Sequence, residues 1–148
     1  MAYKFDPRLV SNIEKEEIIA KVDKYTVRNG ECLDWTRSCN GHGYPQFRLG
    51  KKFDPRFGPG PYNPGHIMFS LSHNCVLNRV DFEMSHLCHN KKCVEVRHFN
   101  YEPKWVNLQR KICTDPTIHI CQGHQDHPKC LLWSLQVMHI LYRYRPTP

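Results

Sequence analysis

The chain has 148 residues, enough for one domain with a modest core. It carries 21 Lys and Arg against 14 Asp and Glu, a formal charge of +7. The cations are spread along the chain, which favours a folded surface meeting polyanions, nucleic acid first among them.

Hydrophobic residues make up 40% of the chain, beside 11 prolines and 8 glycines, so a loop-rich fold in need of staples is expected. Eight cysteines can supply them as disulfides or as metal ligands, and ten histidines beside them favour metal. The N-terminus has no apolar signal-like run, and no stretch approaches a membrane span. The protein is therefore expected to be intracellular, nuclear or wherever its target DNA lies, and not secreted.

In chain order, residues 6–25 read as a helix. Asp6-Pro7 offers a cap and a helix-starting proline, Ser11-x-x-Glu14 a capping box, and Ile13, Ile18, Ile19, Val22 and Tyr25 an apolar face. Asn29-Gly30 marks a turn. Cys32 to Trp35 and Tyr44 to Leu49 read as strands joined by a Cys-Asn-Gly-His-Gly turn. Residues 50–65 hold too many prolines and glycines for a regular element; a basic, aromatic loop is expected. A helix from His66 to His73, a strand from Val80 to Ser85 and a helix from Lys104 to Lys111 follow. The C-terminal segment is apolar, then basic, and is a candidate dimer interface.

The chemistry concentrates after residue 85. Cys88, Cys93 and His98 follow one another at five-residue steps, suited to wrapping one tetrahedral zinc ion. A closed structural site needs a fourth ligand, from Cys32, Cys39 or Cys75. Cys32 is preferred because it would tie the N-terminal half to the loop. A second set follows in Cys113, Cys121, His124 and Cys130, with His127 competing for the imidazole position and His119 a distant third. A cross-braced interaction module of the RING kind would use paired C-x2-C knuckles, which are absent.

His86 is left over, a near-neutral imidazole able to take a proton from water. Asn107 offers a neutral oxygen suited to a hard divalent cation that binds phosphate. Phosphodiester hydrolysis also needs a positive group for the extra charge, for which Arg48 and Arg110 are candidates. His89 shares the cluster without a matching role.

The run Ser-His-Leu-Cys-His-Asn-x-x-Cys-x4-His from Ser85 to His98, followed by Asn107 and Cys113, resembles the His-Cys box homing endonucleases, members of the ββα-metal (His-Me finger) nucleases. Cys32-x-x-Trp35 and Gly43-Tyr44 to Arg48 look like the upstream half of related phage HNH-type enzymes. The resemblance implies a small α+β domain stapled by two structural zinc ions around a ββα-metal core. The resemblance covers about two thirds of the chain, and the expected single domain is residues 1–148: a 6–25 helix, a 32–113 nuclease core with the first zinc site, a 113–130 second site and a 131–148 tail. By it, His86 matches the general base and Asn107 the magnesium ligand. Cys32, Cys88, Cys93 and His98 match the first zinc site; Cys113, Cys121, His124 and Cys130 match the second.

The implied activity is magnesium-dependent, sequence-specific cleavage of double-stranded DNA by a homodimer, with Gln46 and Arg48 as the groove-reading pair. The other reading is a zinc-stabilised DNA-binding protein without catalysis. Three departures stand out: Glu95-Val96-Arg97 replaces the family's Asn-Pro turn, the gaps between Cys113, Cys121, His124 and Cys130 are longer than the family's, which keeps His127 open as a ligand, and the family's phosphate-binding arginine aligns near Tyr44.

Overall fold

The computed structural model describes residues 4–115 and 121–131, which contain two antiparallel hairpins and four α-helices. The expected 6–25 helix is two pieces. Asp6 caps a single 3-10 turn, Pro7–Leu9, and the backbone returns to extended geometry at Val10 (φ −117°, ψ 125°). Helix α1 then runs Asn12–Asp23. An N-cap residue must itself be extended, and Ser11 takes that role in a complete capping box. Glu14 N–H donates to Ser11 Oγ, and Ser11 N–H donates to Glu14 Oε2 at 2.9 Å. Of the predicted apolar face, Ile18 and Val22 are buried while Ile13 points to solvent.

Strand β1 (Thr26–Asn29) pairs with β2 (Cys32–Trp35) around a two-residue turn, Gly30-Glu31, with Gly30 at φ 58°. The partner of β2 is thus not the 44–49 segment, as the sequence suggested. That segment makes only single antiparallel pairings, Cys39 with Pro45 and Phe47 with Tyr62. Pro45 has no N–H with which to extend a ladder.

The segment expected to be irregular is partly helical. A 3-10 turn at Lys51–Phe53 leads into the short helix α2, Asp54–Phe57, with Pro55 in its first turn. Phe53 and Phe57, four residues apart, both enter the main core, where Phe57 meets Phe5 at 5.1 Å between ring centroids. That core also takes Ile18, Val22, Trp35, Phe47 and Ile67. The Arg56–Glu14 ion pair, 2.5 Å, ties α2 to α1.

Helix α3 (Pro64–His73) is capped by Asn63 and ends on Asn74 in left-handed geometry, φ 49°. Strand β3 (Phe82–His86) then pairs with β4 (Phe99–Pro103), which the sequence did not reveal. In their register His86 faces Phe99 and Glu83 faces Glu102. Helix α4 (Lys104–Arg110) follows at once and packs on this hairpin. Phe69, Leu77 and Phe99 form a small separate core beneath it, with Met84 and Tyr101 at its edge.

Gly65 lets α3 approach this hairpin. A Cβ there would lie 2.3 Å from Phe99 Cζ, and Phe99 is the ring against which His86 rests, 4.6 Å between centroids. Gly65→Ala is expected to destabilise the protein by about 1–3 kcal/mol through overpacking and to shift the His86 imidazole resonances. Thermal unfolding and NMR check both; an unchanged midpoint and spectrum would show that Phe99 has room to move.

No described helix is long and apolar enough to cross a membrane. The candidate dimer interface, from residue 132 onward, and His119 lie outside the described residues.

Candidate metal centres and active-site cleft

The first centre is assembled by strand pairing. Residues 92–94 run beside β2: Trp35 N–H donates to the Lys92 carbonyl at 2.9 Å and Val94 N–H to the Leu33 carbonyl at 2.8 Å. This brings Cys93 next to Cys32. A 3-10 turn, Val96–His98, capped by the Glu95 side chain, turns His98 back onto both thiols.

His98 Nδ1 lies 3.4 Å from Cys93 Sγ and 3.7 Å from Cys32 Sγ. A tetrahedral zinc with ordinary bond lengths separates S and N ligand atoms by about 3.6 Å. The ligand atoms of Cys32, Cys88, Cys93 and His98 all lie within 4.8 Å of one another. Cys39 and Cys75, the other candidates for the fourth position, belong to neither described set.

The second centre joins Cys113, Cys121, His124 and Cys130, again within 4.8 Å. His124 Nε2 lies 3.6, 3.4 and 3.5 Å from the three sulfurs in that order. His127 is turned away, its Nδ1 3.8 Å from Glu102. None of the eight cysteines is in a disulfide. Three thiols and an imidazole at tetrahedral spacing are a soft donor set that fits zinc, twice over.

Around the first set the thiols resist joint ionisation. A hydrogen bond from the Cys88 thiol brings Cys93 down to about 5, and the same bond, with burial, pushes Cys88 up. Burial raises Cys32 to about 11. A bound dication is what allows all three to be thiolates together.

His86 ends β3 at the mouth of the zinc loop. Its Nε2 is buried with no hydrogen-bond partner. Burial, with smaller contributions from His89 and His98, lowers the imidazole to about 4, although the neighbouring Cys93 backbone favours the protonated ring. Tyr44 stands on its other side, ring centroids 6.0 Å apart.

Asn107 is on α4, beside β3. Its Oδ1 accepts from Ser85 Oγ at 2.8 Å, and its Nδ2 donates to Glu83 Oε2 at 2.7 Å. It opens into a cleft of about 390 Å³ shared with Tyr44, Gln46, His66, Arg79 and Glu83. This donor set of amide and carboxylate oxygens fits a hard divalent cation.

Of the two candidate phosphate cations, Arg110 is excluded. It is 1% exposed and held bidentately by Glu102, Nε to Oε1 at 2.6 Å and Nη2 to Oε2 at 2.7 Å. Its remaining nitrogen donates to the Pro128 carbonyl at 2.8 Å and reaches Cys130 Sγ at 3.5 Å, bracing the second centre. Arg48 lies in a neighbouring groove of about 340 Å³ with Lys21, Arg37 and Gln46. Gln46 and Arg48 therefore share a basic groove, though not a strand face. The arginine that does line the Asn107 cleft is Arg79, exposed in the turn before β3. No motif marks it in the sequence; only its proximity to a strand ending in His86 could have drawn attention to it.

A mixed helix-and-strand unit closed by two Cys3His sets is a zinc-stapled α+β domain. The family model for the zinc-binding loop region of homing endonuclease matches residues 63–137, about half of the chain, and the protein belongs to that family. Membership carries a nuclease or DNA-binding role. No curated protein and no solved structure matches the chain.

Proposed function

We propose that the protein is a divalent-cation-dependent endonuclease of double-stranded DNA, with residues 1–148 acting as one catalytic unit. The observation that carries this reading is His86. Its buried Nε2 has no hydrogen-bond partner, and its ring stands against Tyr44, which lines the Asn107 cleft. A DNA-binding protein without catalysis needs neither feature.

In this reading Nε2 of His86 accepts the proton of the attacking water. Asn107 contributes an oxygen towards magnesium or a similar ion. When bound, such an ion stabilises the charge on the scissile phosphate and the departing 3′ oxygen. Arg79, which lines the same cleft, adds positive charge to the phosphate. Gln46 and Arg48 make the DNA contacts, with Lys21 and Arg37 as phosphate contacts in the same groove.

Purified zinc-loaded protein is expected to nick supercoiled DNA when magnesium is supplied. His86→Ala should reduce the cleavage rate about 10²- to 10⁴-fold while leaving DNA affinity and zinc content unchanged. Tight binding with no cleavage by either form would overturn the nuclease assignment in favour of a zinc-stabilised binder.

A further inference from the structure

A chain of four side chains crosses the hairpin from its buried side to the cleft: Glu102, Ser85, Asn107, Glu83. Ser85 Oγ hydrogen-bonds to Glu102 Oε1 and lies 2.8 Å from the Asn107 amide, whose other end is 2.7 Å from Glu83 Oε2. These are three contacts, and each needs one donor. A hydroxyl has one proton, an amide donates from only one of its two ends, and an ionised carboxylate donates nothing. Two donors serve three contacts, so one contact places two acceptors face to face.

Where the missing donor falls is decided by burial. Glu102 is fully buried and held bidentately by Arg110, so it stays an ionised acceptor. Burial would raise its carboxyl, but hydrogen bonds from Arg110, Ser85 and Asn100 outweigh that and keep it low. Leaving a carboxylate facing an acceptor in that dry position is costly. The Ser85 proton therefore goes to Glu102. Ser85 then accepts from the Asn107 NH₂, and Asn107 Oδ1 is left facing Glu83. The two ends of an amide are assigned from such networks.

The amide is therefore turned end for end from the orientation in which its Nδ2 meets Glu83 Oε2, and the frustrated contact lies at the cleft, where the 2.7 Å contact becomes one of two oxygens awaiting a positive partner. A second observation points the same way. Glu83 stands directly opposite Glu102 in the β3–β4 register, a like-charge pairing that is unfavourable unless neutralised. Arg110 neutralises Glu102; among the described residues Glu83 makes no ion pair.

We infer that Glu83 is a second protein ligand, beside Asn107, for a hard divalent cation, and that Ser85 is a positioning residue that aims the Asn107 oxygen. This inference rests on the nuclease reading only for what the cation is used for. Two adjacent oxygens at this separation span one edge of the octahedron that magnesium or manganese prefers.

The test is manganese binding to the zinc-saturated full chain, followed by loss of the free-ion EPR signal. The parent protein should take up one manganese. Glu83→Gln should weaken it at least ten-fold with no fall in thermal midpoint, because the new amide donates to Asn107 Oδ1 and completes the hydrogen-bond chain. Ser85→Ala, which frees the amide to turn its NH₂ to Glu83, should also weaken manganese binding. A Glu83→Gln protein that binds manganese as tightly as the parent would overturn the assignment, as would a parent that cleaves DNA with no manganese uptake. Manganese uptake lost in Glu83→Gln, with no DNA cleavage by the parent, would uphold the cation site and remove the nuclease function.

Discussion

Cys93→Ala is expected to unfold the N-terminal hairpin and the zinc loop together, and to lower bound zinc from two ions per chain to one. Cys93 is fully buried, and its backbone neighbours are the residues that pair with β2. Structural zinc sites contribute about 10–16 kcal/mol of apparent binding free energy near neutral pH, against about 5–15 kcal/mol for the net stability of a whole domain. Losing most of one such site therefore removes as much as the fold has to spare. Elemental analysis and circular dichroism of the variant measure both effects, and a strong chelator applied to the parent should reproduce the unfolding. Two zincs and an unchanged unfolding midpoint in the variant would show that Cys93 is not a ligand.

The second large effect is expected at the Glu102–Arg110 pair. Both side chains are essentially excluded from water, and each satisfies the other twice. Glu102→Leu leaves a guanidinium buried with only the Pro128 carbonyl and Cys130 sulfur as partners, at a cost of about 3–5 kcal/mol. It also deprives Ser85 and Asn100 of their acceptor. Arg110→Leu should cost a similar amount by stranding the carboxylate. The double replacement should recover part of the loss, since paired apolar residues often match a buried ion pair. Denaturant unfolding of the two single variants and the double decides this. Strictly additive losses would mean that the pair is not coupled.

The sequence disclosed the two metal-ligand sets better than the frame that carries them. The five-residue steps from Cys88 to His98 are local, so metal-ligand chemistry could be recognised without knowing the fold. Ser11-x-x-Glu14 is likewise local and forms as read, although Asp6-Pro7 starts a separate turn before it. The failures all depend on distant partners. Tyr44 to Leu49 alternates like a strand, but Pro45 prevents a ladder and β1 takes the edge of β2. β4 reads Phe-Asn-Tyr-Glu-Pro, closing on a proline and carrying a glutamate that only a buried arginine makes tolerable. Phe53 and Phe57 were hidden among prolines, though their four-residue spacing puts both into the core. Arg110 looked available because it follows Asn107 by one turn, and its buried partner on β4 cannot be inferred from spacing.

The two metal centres differ in how much chain each must gather. The first joins Cys32 to His98, 66 residues apart, whereas the second runs only from Cys113 to Cys130. Loop-closure entropy grows with the logarithm of separation, a difference of about 1.2 kcal/mol between the two. The second centre is therefore a clip that can load within its own stretch of chain. Three ligands of the first, Cys88, Cys93 and His98, are as local, but its closure also needs Cys32, so its metal seals the β1–β2 hairpin to the segment bearing His86.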